Sequence, residues 1–212
     1  FAPALAHADP PANDDFANAT VLASTLPAEE TGSLAEATSE SGEPRHVPDV
    51  GGGKTVWYRW TPTVDVTVAV ETCGSPTFSG VAVYGQGPVS NLGPRLGAAR
   101  HCLNGTSTIV HATAGSSYWI AVENVTFEGS AGDYSLRLRV AGSLAGQVRD
   151  SASVPVADHC VKVLEEISAT EVVPVVTVQT GGDGRWSVEL PPSEYLVRFE
   201  GCVAGGPFAN EY

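Results

Sequence analysis

Residues 54–62 read KTVWYRWTP, and this run constrains the fold more than any other. Successive side chains of an extended chain point to opposite faces, so Val56, Tyr58 and Trp60 share one side while Thr55, Trp57 and Arg59 share the other. Pro62 has no N–H to extend a ladder and stops the run. The pattern is a two-faced strand at the centre of a sheet. We assign Val56, Tyr58 and Trp60 to a core. Trp57 and Arg59 then face outward and are the candidate ligand-binding pair, an indole for stacking beside a guanidinium. The competing reading covers Trp57 with the polar segment 41–53.

The flanking sequence repeats the signal. Strands are expected at 31–39, 54–61, 64–72, 80–84, 95–102, 107–112, 118–124 and 134–140, separated by Thr61-Pro62, Gly74-Ser75-Pro76, Asn104-Gly105 and Ala114-Gly115. Residues 18–26 make a short helical turn or strand. After Ala141-Gly142-Ser143 a second block places strands at 143–150, 160–167, 172–180, 185–190 and 195–200, with Gly181-Gly182-Asp183-Gly184 as a tight hairpin. The 23 glycines and 15 prolines, with no long 3.6-residue periodicity, fit many short strands and turns. The expected fold is all-β: two tandem β-sandwiches, the first jelly-roll-like, the second smaller and Ig-like.

Net charge is −13, which argues against nucleic acid, whose binding needs a basic stripe. No apolar run is long enough to span a bilayer. The four cysteines allow three pairings. We favour Cys73 with Cys102 and Cys160 with Cys202, since each pair closes one block. No CxxC spacing suggests zinc or redox chemistry, and disulfides imply an oxidising compartment. FAPALAHA at the start looks like the end of a secretory signal, with Ala6-His7-Ala8 as an A-x-A cleavage site. The expected organisation is a signal remnant at 1–8, one sandwich at 9–141 and another at 142–212, in a monomer that is secreted or held at the cell surface. Two lysines against nine arginines, with abundant Ala, Gly and Val, fit a GC-rich bacterial genome.

The pieces NDDFANATVL, KTVWYRWTP, VTVAVETCGS, VAVYGQG, TAGSSYWIAVEN and GDYSLRLRV occur in an order and spacing that resembles bacterial pre-peptidase C-terminal-like β-sandwich modules. The chain departs from that pattern at Phe78-Ser79-Gly80, where F-D-T is usual, and at Leu103-Asn104-Gly105, where N-D-D is usual. In the second block, GSLAGQVRDSASVPVADHCVKV, TGGDGRWSVELPPSEYLVRFEGC and FANEY are similar to carboxypeptidase-regulatory-like, transthyretin-type modules. Members of that family continue with a further strand, so the second block is expected to be incomplete, with an exposed sheet edge. Both resemblances imply accessory modules of larger secreted proteins rather than enzymes.

The chain carries no catalytic spacing. GGGKT at 51–55 has Pro48 where a phosphate loop needs glycine, and a strand follows it rather than a helix. There is no G-x-S-x-G elbow. His101-Cys102 and His159-Cys160 are adjacent on strands and point to opposite faces, so they do not chelate together; surface histidines beside disulfides are expected. Asn13, Asp14 and Asp15 are weak calcium candidates, as oxygen donors for a hard cation; the alternative is turn capping. No other cofactor is expected. The sequons at Asn18, Asn104 and Asn124 read as coincidental. These observations lead to a non-enzymatic extracellular module that binds a protein or polysaccharide in adhesion or substrate targeting. Accessory domains of a secreted hydrolase and a calcium-stabilised spacer are the alternatives.

Overall fold

The computed structural model describes residues 9–47, 53–125, 131–168 and 171–202. The signal-like residues 1–8, the glycines at 51 and 52 and the FANEY segment lie outside them. The chain is all-β and divides into two compact units, Phe1–Val140 and Ala141–Tyr212. Among the described residues no helix is long and apolar enough to cross a membrane.

In the first unit a 3-10 turn, Phe16–Asn18, precedes β1 (Thr20–Val21), β2 (Ala28–Ser33), β3 (Thr55–Trp60), β4 (Val66–Glu71), β5 (Ser79–Tyr84), β6 (Arg100–Cys102), β7 (Gly105–Ala112), β8 (Tyr118–Asn124) and β9 (Asp133–Val140). One sheet runs β1-β3-β8-β5 and the other β2-β9-β4-β7-β6. β1 pairs with β3 in parallel, and the remaining pairs are antiparallel.

Two expected strands of this unit shift, for local reasons. The strand expected at 31–39 ends at Ser33. Leu34 and Ala37 turn inward and are buried, with Leu34 N–H donating to Gly132 O at 2.9 Å and Ala37 N–H to Leu34 O at 3.2 Å. The strand expected at 95–102 shrinks to β6. Leu96 N–H donates to Val83 O at 2.8 Å, and Gly97 takes φ +75° with a Cβ position only 2.3 Å from Ile109 O. Only glycine fits such a crossing.

Val56, Tyr58 and Trp60 face inward as their alternation requires. They pack with Val81 and Val83 of β5 and Ile120 and Val122 of β8, against Val68, Val70, Val110, Leu136 and Leu138 of the facing sheet. Each fully buried aliphatic side chain contributes roughly 1.5–3 kcal/mol. Tyr58 and Tyr134 join the two layers by a hydrogen bond between their hydroxyls. Burial raises both phenol pKa values, so the pair stays neutral. Cys73 and Cys102 form one disulfide, tying the chain beyond β4 to the end of β6.

The second unit contains β10 (Gly142–Gln147), β11 (His159–Ser168), β12 (Glu171–Gln179), β13 (Arg185–Leu190) and β14 (Leu196–Gly201). β10 pairs with β13, and a three-stranded sheet runs β12-β11-β14. Among the described residues, Val161, Val163, Leu164, Trp186 and Leu190 are buried, beside the half-cystine Cys160. Cys160–Cys202, the other expected pair, ties the start of β11 to the end of β14. Loop-closure entropy makes each disulfide worth roughly 3–4 kcal/mol. One sheet edge is β12, where pairing slips from Val163↔Val176 to Leu164↔Pro174 and leaves Val175 as an extra residue. A proline and a bulge both blunt an edge against further pairing.

Candidate functional site

Trp57 points away from the sandwich core, as its alternation requires, but it is not a surface residue. Its exposure is 0%. A second apolar layer lies over the outer face of the β1-β3-β8-β5 sheet, formed by Trp57, Ala82, Tyr84, Leu92 and Ala121 with Phe16, Val89 and Trp119 packed against it. Phe16 and His46 each meet the indole edge-on at 5.0 Å. The placement of Trp57 as an outward ligand platform is therefore corrected in favour of the competing reading: His46, within the segment 41–53, covers the ring together with Phe16 of the lead-in. Arg59 remains exposed, opposite the half-buried Trp119 on β8.

The three calcium candidates are largely occupied in holding this cover. Asn13 exchanges hydrogen bonds with Trp57: its Nδ2 donates to Trp57 O at 3.0 Å, and Trp57 N–H donates to Asn13 O at 2.8 Å. Both carboxylate oxygens of Asp14 accept from Thr38, one from the backbone N–H and one from the hydroxyl, each at 2.6 Å. Asp15 accepts from Asn18 at 3.4 Å. Phe16 N–H donates to Glu40 at 2.5 Å. Among the described residues no group of three or more His, Cys, Asp or Glu side chains is placed to hold a metal ion.

A buried polar cluster of the first unit seats residues 43–47. His46 is 1% exposed. Its Nδ1 lies 2.8 Å from the Tyr84 hydroxyl and its Nε2 2.8 Å from Glu43 Oε1. Glu123 Oε2 accepts the backbone N–H groups of His46 at 3.2 Å and Val47 at 3.0 Å. Arg95 donates to His46 O at 2.7 Å. Burial raises the Glu123 carboxyl above its ordinary pKa and pushes the Tyr84 phenol up to about 12. A histidine between a carboxylate and a hydroxyl resembles general-base machinery, but here every partner is internal and the ring is sealed from solvent. The cluster fastens the segment to the sheet.

An open cleft lies in the second unit. A cleft of about 420 Å³ is lined by Gln147, Val148, Arg149, Asp150, Ser151, Val156, His159 and Phe199. Pockets for small ligands are about 300–1,000 Å³. The lining is held by backbone. Val148 N–H donates to Gly184 O at 2.8 Å and Val156 N–H to Val148 O at 3.0 Å. Asp150 Oδ1 caps its own turn, accepting from Ala152 at 2.9 Å and Val154 at 2.8 Å. Arg149 donates from Nε to Gln147 Oε1 at 3.0 Å and from Nη1 to Ser153 O at 2.6 Å. Neutral oxygens thus hold its guanidinium, and no ion pair among the described residues neutralises it.

Phe199 forms the apolar side. It lies opposite Val161 in the register and meets Trp186 of the other sheet at 6.2 Å, edge to face. It is still 44% exposed. Trp186 is buried and its Nε1 has no hydrogen-bond partner among the described residues. His159, expected at the surface, is only 6% exposed, and its N–H donates to Thr180 Oγ1 at 2.9 Å. His101 is exposed as expected.

Sequence reasoning placed Arg149 and Asp150 on a strand and overlooked them. The available signal was the run Arg-Asp-Ser before Ser153-Val154-Pro155, where a charged pair meets a turn. Phe199 gave no comparable signal, since its alternation reads as core. Comparison with protein-family models and with curated protein sequences returns no match for this chain.

Proposed function

We propose that this chain is a non-catalytic extracellular binding protein, and that the second unit carries the binding surface. The observation that carries this reading is the cleft beside Phe199. An exposed ring there adjoins Arg149 and Asp150, whose side chains are already fixed by Gln147, Ser153 and the Asp150 turn. Pre-fixed polar groups beside an apolar surface lose little freedom on binding. Two disulfides support export to an oxidising compartment. The resemblances to a pre-peptidase C-terminal-like module and a carboxypeptidase-regulatory-like module point the same way, toward adhesion or substrate targeting of a protein or polysaccharide. In this reading the first unit is a scaffold, since its aromatic layer is covered by its own chain.

Glycan and protein arrays probed with the full chain test the proposal. Retention on a defined subset of ligands is the expected result. Silence on both arrays contradicts it and leaves a spacer.

A further inference from the structure

We propose that the cleft of the second unit takes a saccharide bearing a carboxylate, a uronic-acid-type sugar. This rests on the binding reading above and adds the ligand's chemistry. Arg149 supplies the first reason. In a chain of net charge −13, a cleft-lining guanidinium held by neutral oxygens keeps its charge available. Its Nη2 has no partner among the described residues. A planar guanidinium is the side chain that best reads a carboxylate, through paired N–H donors.

Asp150 supplies the second. Its Oδ1 is used by the turn, while Oδ2 has no partner among the described residues. A carboxylate oxygen in a cleft wants an O–H donor, and it repels a ligand that offers only negative charge. A simple anion would satisfy Arg149 and offend Asp150. A neutral sugar would satisfy Asp150 but would not use the paired N–H donors of the exposed Arg149 guanidinium. A hydroxylated ring acid satisfies both, its carboxylate at Arg149 and a hydroxyl donating to Asp150. Phe199 supplies the third reason. Its exposed ring offers a flat apolar surface to the C–H face of a sugar ring, while Ser151 adds a hydroxyl at the rim.

The test is an NMR titration of the ¹⁵N-labelled full chain with oligogalacturonate and, in parallel, with the neutral galactose oligomer of equal length. The expected result is saturable shifts at residues 147–151 and at Phe199 with the acidic oligomer, and binding at least tenfold weaker with the neutral one. Arg149→Gln should weaken the acidic oligomer about 10- to 100-fold, the range for a charged hydrogen bond, and remove the preference. Arg149→Lys should keep part of it. Phe199→Ala, which leaves the Arg149 contacts in place, should weaken both oligomers. Equal binding of both oligomers at these residues, unaffected by Arg149→Gln, overturns the carboxylate assignment and leaves the cleft as a neutral-sugar site. If neither oligomer shifts these residues, the saccharide assignment falls. The binding reading then stands only if an array-identified ligand shifts them, and falls if none does.

Discussion

The imidazole of His46 stands edge-on to the indole of Trp57, with ring centroids 5.0 Å apart and planes at 88°. The contact converts the outward face of β3 into a second buried layer. Tyr58→Ala and Trp57→Ala should therefore cost comparable stability, each about 3–5 kcal/mol as for other large-to-small aromatic deletions. Urea denaturation of both variants checks this. A Trp57→Ala loss near that of an exposed substitution would return the indole to the surface.

Glu123 fastens the same segment through two backbone N–H groups, and its pKa is raised mainly by burial. A raised carboxyl binds its proton more tightly in the folded chain than in the unfolded one. Its charge therefore penalises folding fully above the folded pKa, and the penalty fades as pH falls toward the ordinary glutamate value. Glu123→Gln keeps an acceptor for both N–H groups without the charge. It should be at least as stable as wild type at pH 7, and the difference should be smaller at a pH near the ordinary glutamate value. Glu123→Leu strands both donors and should lose roughly 2–5 kcal/mol. Denaturation of the three proteins at both pH values checks the order; equal losses for Gln and Leu would contradict it.

Asp14 acts on Thr38, and its effect should not depend on a cation. Asp14→Ala removes two hydrogen bonds and should cost about 1–3 kcal/mol. The loss should be the same with calcium and with a chelator. Thermal melts of both proteins in both buffers measure this; a calcium-dependent difference would restore a metal role to Asn13, Asp14 and Asp15.

Gly184 backs the second-unit cleft. Its φ is +71°, and a Cβ there would lie 2.5 Å from Val148 O. Gly184→Ala should cost about 1–3 kcal/mol through strain and should shift the amide resonances of Val148 and Val156, which line the cleft. Chemical denaturation with an NMR spectrum of the variant checks both parts.

Much of the fold was legible because alternation is a local property. Tyr58 and Trp60 announce a core face from their spacing alone, and the cysteines divide by block. What was not legible depends on chain segments far apart in sequence. Trp57 is buried because Phe16 and His46 arrive from outside its sheet, and no pattern within KTVWYRWTP encodes that arrival. Asp14 reads as a weak cation candidate or as a cap, and its partner Thr38, 24 positions away, is not legible in the sequence. The cleft was invisible for the same reason: Arg149 and Phe199 lie 50 positions apart, and Phe199 looks like core by its alternation although it is exposed in the folded chain.

The central claim is that the second-unit cleft is the binding surface. The most direct measurement is array binding of the Phe199→Ala variant of this chain beside wild type, with melting curves of both. The account predicts that wild-type binding is lost in the variant while the folded signal persists. Undiminished binding by a folded Phe199→Ala protein would contradict it.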